Sequence, residues 1–117
     1  SGVVQFRTGE TGVRDSDRER LEQFGKWLTQ YAGMMVRITG YADPRGPAEL
    51  NQCLSQERAE AVARILQASG VSPERLLVVA MGASPVDETR SSLDDYAFER
   101  RVQIEIEPVA ATVAWAE

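Results

Sequence analysis

The chain has 117 residues and a formal net charge of −5, so it has about the length of one domain and is acidic on balance. This charge argues against a nucleic-acid-binding protein, which needs a basic face to meet phosphates. The sequence has no histidine and a single cysteine, which excludes a zinc site of His and Cys, a histidine-based catalytic triad and an internal disulfide.

The first part of the chain predicts a strand and a helix. Residues 3–6 form a short strand candidate. Ser16 and Glu19 have the spacing of a capping box, which predicts that a helix begins there and runs to about residue 31. We expect Gly33 to end this helix, because the left-handed conformation that follows many helices favours glycine.

A second strand, a longer helix and a third strand follow. Residues 34–41 predict a strand, with Met34, Val36 and Ile38 on one face. Pro47 suits the first turn of a helix because its missing N–H costs nothing there. This helix is predicted to run to residue 69, where Gly70 supplies its end. The continuous apolar run 76–81 then predicts a central strand that is covered or well flanked on both sides.

The last strand completes the predicted fold. Residues 101–107 alternate strictly, which predicts a strand with Val102, Ile104 and Ile106 turned inward. The order βαβαββ implies parallel pairing of the first three strands through crossover helices, and an antiparallel last strand. We therefore predict an α+β two-layer sandwich, in which two long helices pack on one face of a mixed four-stranded sheet.

The second predicted helix carries a charge within its apolar stripe. At about 100° per residue, Arg58 and Asn51 fall inside that stripe. An unpaired buried charge is heavily penalised, so Arg58 needs a partner. Helical side chains tilt toward the helix N-terminus, and Arg58 therefore reaches toward the loop that holds Asp43. We predict that these three residues converge at the C-terminal end of the second strand in a shallow open cleft. The apolar stripe consists of Leu50, Leu54, Ala61, Val62, Ile65 and Leu66.

Two interpretations of the charged pair stay open. In the first, Arg58 and Asp43 form a salt bridge whose only effect is to hold the loop. In the second, a ligand separates them: Asp43 binds an ammonium group, and the planar fork of Arg58 binds a carboxylate. These two groups together match the zwitterionic head of an α-amino acid.

The segments around this pair resemble a known family pattern. Residues 40–46 are similar to G-H-T-D-x-x-G, residues 51–59 to N-x-x-L-S-x-x-R-A, and residues 100–104 to R-R-V-x-I. These are motifs of the OmpA-like C-terminal domain, which Pal lipoproteins and MotB-type stator proteins share. The resemblance covers about residues 3–107, and many spacings agree at once.

The resemblance implies non-covalent binding of peptidoglycan. At the matching positions, Asp43 and Arg58 would hold the amino-acid head of meso-diaminopimelate in the stem peptide, and Asn51 would bond the same peptide. No catalytic residue, metal or cofactor is implied, and nucleic acid is not an expected partner. The ligand-binding residues that the resemblance implies are Asp43, Asn51, Leu54, Arg58, Arg100 and Arg101.

The resemblance also carries expectations about the parent protein. We expect residues 1–107 to form the peptidoglycan-binding domain and residues 108–117 to be a C-terminal tail or linker. The implied location is the periplasm of a Gram-negative bacterium, with the parent protein tethered to the outer or inner membrane by a segment outside this sequence. A homodimer stays open as an assembly state.

Several residues depart from the family pattern. Tyr41 and Ala42 replace His and Thr, Arg7 stands where many members have Asp, and Glu99 replaces Asn. We predict that Arg7 lies at the rim of the pocket beside Glu99 or another acid.

If these changes remove ligand binding, the domain is an assembly or interaction module of the same fold. An enzyme, such as a glycosidase that uses two carboxylates, is a weaker hypothesis because no glutamate lies on an apolar face.

Overall fold

The computed structural model describes residues 2–7, 9–31, 33–42, 47–83 and 100–108. The elements in chain order are β1 (Gly2–Gln5), α1 (Asp15–Leu28), β2 (Met34–Ala42), α2 (Ala48–Ala68), a 3-10 turn (Pro73–Arg75), β3 (Leu76–Ala83) and β4 (Arg101–Pro108). This confirms the predicted α+β class, with a mixed four-stranded sheet and two helices. In the described part of the chain, neither helix combines the length and hydropathy needed to cross a bilayer.

The strands lie in the order β1-β4-β2-β3. β2 pairs parallel with β3, while β4 pairs antiparallel with both β1 and β2. The predicted antiparallel last strand is therefore confirmed. The prediction that the first three strands all pair in parallel is wrong for β1, because β4 inserts between β1 and β2 and takes the hydrogen bonds of both.

The apolar run of β3 lies at an edge of the sheet, so the predicted central position is wrong. Leu77 and Met81 are 46 % and 52 % exposed, while Leu76 and Val78 pack against the core. Leu77 and Met81 are exposed because both helices cover the same face of the sheet, which is the opposite one. Alternate side chains of β3 therefore lie on the uncovered face, although the strand is apolar throughout.

Helix α1 begins and ends differently from the prediction. It begins at Asp15, and its N-cap residue Arg14 makes no side-chain capping bond, so the capping box of Ser16 is wrong. Asp15 and Asp17 instead place negative charge in the first turn, where the helix dipole favours it. The helix ends at Leu28, before the predicted glycine stop.

A distant arginine takes the place of a glycine cap at the end of α1. Arg75 donates hydrogen bonds to the carbonyl oxygens of Leu28 at 2.9 Å, Tyr31 at 2.7 Å and Met34 at 3.0 Å. The last turn of a helix leaves carbonyls without intrahelical partners, and Arg75 supplies a second donor to the Leu28 carbonyl, which also accepts from the Tyr31 N–H at 3.2 Å. Arg75 thus fixes the connection between α1 and β2.

The end of α2 agrees with the prediction. Gly70 has a φ of 109°. The Val71 N–H donates to the Leu66 carbonyl at 3.1 Å, and the Gly70 N–H donates to the Gln67 carbonyl at 3.0 Å. These two bonds form a Schellman motif, which explains the need for glycine. At the other end, Pro47 is the N-cap residue and precedes the first turn.

Small residues bring α2 close to β2. A Cβ atom added to Gly40 would lie 2.0 Å from the carbonyl oxygen of Ser55 and 3.2 Å from the Cβ of Ala59. The buried face of α2 is therefore rotated by about 60° from the predicted stripe, toward its small residues. Leu50, predicted to be buried, is 52 % exposed. The buried residues of α2 are Asn51, Ser55, Arg58, Ala59, Val62, Ala63, Ile65 and Leu66.

The register of β4 is confirmed by its burial. Val102 and Ile104 lie in the core with Val36 and Ile38 of β2, and Ile106 is half-buried. The strand continues to Pro108, one residue beyond the prediction. The predicted tail from residue 109 onward lies outside the described residues, so the domain boundary stays a prediction.

We predict that Gly40→Ala lowers the free energy of unfolding by about 3 kcal/mol or more, because the new methyl group would overlap a main-chain carbonyl that cannot rotate away. Urea unfolding followed by circular dichroism measures this change. Gly12→Ala is the matched control, since a Cβ there meets nothing within 4 Å. Equal stability of the two variants would contradict the close contact between α2 and β2.

Candidate binding site

Strand directions bring four segments to one end of the sheet. β1, β2 and β3 run in the same direction and end there, and β4 begins there. The first half of α2 lies above this end, where Gly40 contacts Ser55 and Ala59. The polar residues singled out on α2 therefore meet the ends of the strands.

Arg58 is the centre of this region. It is only 1 % exposed, yet its guanidinium donates to three main-chain carbonyls. Nε donates to Glu10 at 2.9 Å, Nη2 to Arg7 at 3.2 Å and Nη1 to Tyr41 at 3.4 Å. The need for a partner, deduced from the helix pattern, is thus met by the segment after β1 and by the end of β2. Asp43, the partner expected from the sequence, lies outside the described residues.

The predicted open cleft is not what the structure shows at this point. Arg58 and Asn51 are 1 % and 5 % exposed, so both side chains are enclosed. The physical reason is that the segment between β1 and α1 lies against the guanidinium and provides two of its acceptors. Leu54, one turn before Arg58, is half-buried.

Phe6 joins Arg58 to Arg100. The guanidinium carbon of Arg58 lies 5.3 Å from the centre of the Phe6 ring, in the range of a cation–π contact. Arg100 donates from Nε to the Phe6 carbonyl at 3.0 Å, and the Phe6 N–H donates to the Arg100 carbonyl at 2.9 Å. No sequence pattern selected Phe6, since a buried phenylalanine at a strand end is ordinary. Main-chain acceptors such as the Glu10 carbonyl have no side-chain signature at all.

Arg101 lies on the other face of the sheet from Arg58. Successive residues of a strand alternate in direction, and Val102 faces the core. The guanidinium carbon of Arg101 lies 4.0 Å from the centre of the Tyr41 ring, and Nε donates to Gln103 at 2.8 Å. Two arginines were expected at the site. Of these, Arg100 is the one that contacts Phe6, the residue whose ring lies beside Arg58 on the core side of the sheet.

The end of β3 is tied to α2 through a serine. The Gly82 N–H donates to Ser55 Oγ at 2.9 Å, and this hydroxyl donates to the Gln52 carbonyl at 2.9 Å. Gln52 also donates from Nε2 to the Ala80 carbonyl at 3.2 Å. Gly82 has a φ of 68°, which favours glycine, and it lies in β3 where the register with β2 shifts between Gly40 and Ala42. Sequence reasoning recognised Ser55 as a motif residue without predicting this role.

The main chain of Arg7 lies beside Arg58, while the position of its side chain at the rim of the pocket stays a prediction. Its carbonyl binds Arg58 while its side chain is exposed. The predicted pairing with Glu99 falls outside the described residues and stays a prediction. Among the residues that the structure describes, no group of three or more His, Cys, Asp or Glu side chains is arranged to hold a metal ion.

Comparison with known proteins gives consistent matches. Residues 5–100 match the model described as the OmpA family. The chain is 30 % identical over 107 residues to outer membrane porin F of Pseudomonas fluorescens, covering 92 % of this chain and 33 % of that protein. It is 31 % identical over 79 residues to the peptidoglycan-associated lipoprotein of Agrobacterium fabrum, covering 68 % of this chain and 45 % of that protein. The chain thus spans between a third and a half of the length of these relatives.

Solved structures have the same fold. The peptidoglycan-associated lipoprotein from Burkholderia pseudomallei superposes with a TM-score of 0.84 at 30 % identity, covering 92 % of this chain and 91 % of that one. The C-terminal domain of Helicobacter pylori MotB superposes with a TM-score of 0.81, covering 98 % of this chain and 91 % of that one. At 19 % identity, the MotB likeness shows the fold alone.

We predict that Arg58→Met lowers the free energy of unfolding by about 2–4 kcal/mol. Methionine fills a similar volume but leaves the carbonyls of Arg7, Glu10 and Tyr41 without this donor. Chemical denaturation measures the loss. Arg64→Met, at an exposed position of the same helix, serves as the control and should change stability by about 0.5 kcal/mol or less. A stable Arg58→Met variant would mean that these bonds contribute little.

Proposed function

Since this chain belongs to the OmpA family, we propose that it binds cell-wall peptidoglycan non-covalently, through the amino-acid head of meso-diaminopimelate in the stem peptide. The domain would act in the periplasm of a Gram-negative bacterium and anchor a membrane-tethered parent protein to the wall. Binding without catalysis is the proposed activity. The names of two relatives, which are peptidoglycan-associated lipoproteins, support the choice of ligand.

The fixed guanidinium of Arg58 is the observation that carries this proposal. Three main-chain acceptors from two separate parts of the chain hold its plane in place. A group that is already oriented loses little conformational entropy when it binds. The bond to Tyr41 is the longest of the three, at 3.4 Å, and a carboxylate accepts from a guanidinium more strongly than a neutral carbonyl does. We therefore assign the ligand's carboxylate to the Nη1 side of Arg58.

Asp43 supplies the second half of the proposed site. It follows Ala42, the last residue of β2, and stands two residues after the Tyr41 carbonyl that binds Arg58. Two residues of chain span at most about 7 Å, so Asp43 stays within reach of a small ligand held at Arg58. In this proposal the ligand's ammonium group faces Asp43, and Asn51, Leu54 and Arg100 line the remaining sides.

The alternative is an assembly or interaction module that no longer binds the wall. The enclosure of Arg58 favours it, because this buried side chain donates to three main-chain carbonyls of the protein itself. Arg101 packed on Tyr41 agrees with a structural role for part of the motif. Binding measurements on purified peptidoglycan separate the two functions.

We predict that Asp43→Asn and Arg58→Lys each weaken binding to purified sacculi by about thirtyfold or more. Each variant removes one charge-assisted contact, and unpaired charges at an interface cost about 2–5 kcal/mol. Lysine keeps the positive charge of Arg58 but lacks the planar fork. Co-sedimentation measures binding, and circular dichroism checks that both variants fold. Arg37→Gln is the control, since this residue forms an exposed ion pair with Glu107.

The choice of peptide sharpens this test. A stem peptide with L-lysine in place of meso-diaminopimelate has the ammonium group on its side chain but lacks the carboxylate assigned to Arg58. The wild type should bind the lysine peptide more weakly, and Arg58→Lys should reduce that difference. Folded variants that bind as tightly as the wild type would reject the head-binding site. A wild type that does not bind sacculi would favour the assembly module.

A further inference from the structure

We propose that a groove lined by arginines, next to the site above, binds the other free carboxylates of the same stem peptide. The arginine groove is defined by Arg7, Arg14, Arg18 and Arg64. This inference rests on the proposed function and extends it to a second subsite, which would recognise the acidic groups that neighbour the diaminopimelate.

The first part of the groove lies between the end of β1 and the start of α1. This cavity has a volume of about 400 Å³, and its lining includes Arg7, Glu10 and Arg14. The carbonyls of Arg7 and Glu10 also accept from Arg58. One stretch of main chain therefore binds the buried guanidinium and also borders the groove, which makes the two subsites neighbours.

The second part of the groove lies between α1 and α2. This cavity of about 290 Å³ is lined by Arg18 from α1 and Arg64 from α2, together with Thr11. Gly12 and Val13 line both cavities, so the two parts of the groove adjoin along this segment.

The charge of the groove is opposite to that of the chain. The net charge of the whole protein is −5, yet the groove has four arginines against the two carboxylates of Glu10 and Asp15. All four arginine side chains are exposed. In the part of the chain that the structure describes, the ion pairs involve Arg20 and Arg37, and none of the four groove arginines takes part in one.

This charge arrangement identifies the ligand as an acidic one. An acidic protein repels an acidic peptide at long range, and a local cluster of arginines offsets that repulsion and steers the encounter. Each guanidinium can bind a carboxylate through two parallel hydrogen bonds. Because the contacts are exposed, each contributes little alone and weakens in salt. The groove would therefore add modest, salt-dependent affinity to the head-binding site.

The test compares two stem peptides that contain meso-diaminopimelate, one with its other carboxylates free and one with them amidated. For the free peptide, Arg18→Gln combined with Arg64→Gln should raise the Kd roughly three- to tenfold at low salt, since it removes two exposed contacts. The difference should disappear near 1 M salt. Lys26→Gln combined with Arg37→Gln removes the same charge elsewhere and should leave the Kd unchanged. Amidation should weaken binding to the wild type more than binding to the Arg18/Arg64 variant, which keeps Arg7 and Arg14.

The outcomes separate the two proposals. The groove is overturned if the Arg18/Arg64 variant and the control pair have the same Kd, or if amidation leaves the Kd of the wild type unchanged. In either case the head-binding site is judged separately, by whether Asp43→Asn weakens binding. If amidation weakens binding but Asp43→Asn does not, the groove is supported and the head-binding site is rejected. If the wild type binds neither peptide, both proposals are overturned.

Discussion

The buried guanidinium of Arg58 is the constraint on which the rest of this end of the molecule depends. A permanent positive charge enclosed by protein must be surrounded by acceptors, because its desolvation is otherwise too costly. Among the described residues, the acceptors are the main-chain carbonyls of Arg7, Glu10 and Tyr41, which come from two distant parts of the chain. The segment after β1 and the end of β2 are therefore held at one helix by a single side chain.

The close contact between α2 and β2 makes this arrangement possible. Gly40 allows the main chain of α2 at Ser55 to approach the strand, and Arg58 one turn later then reaches the Tyr41 carbonyl at the strand end. The same approach lets the Ser55 hydroxyl accept from Gly82 at the end of β3. Small residues, rather than large apolar ones, thus set the distance between the layers and position the polar groups.

Local sequence patterns predicted the features that depend on interactions between residues close together in the chain. The glycine stop at Gly70 and the inward register of Val102 depend on neighbouring residues, and both agree with the structure. The helix pattern also showed that Arg58 needs a partner, although it could not show that main-chain carbonyls provide it. The position of β4 between β1 and β2, and the capping of α1 by Arg75, join residues far apart in sequence. No local pattern records such contacts.

The pairing of β1 has a mechanical consequence. β1 is an edge strand that pairs only with β4 among the described strands, through residues 2–5, and Phe6 then extends this ladder to Arg100. Tension applied to the chain ahead of β1 would run along the strand and load these hydrogen bonds together, in shear, before it reached Arg7 and its bond to Arg58. A pull strong enough to detach β1 would also remove an acceptor from the buried guanidinium. The hydrogen bonds between β1 and β4 would then break, and the site around Arg58 would be disrupted, at the same force.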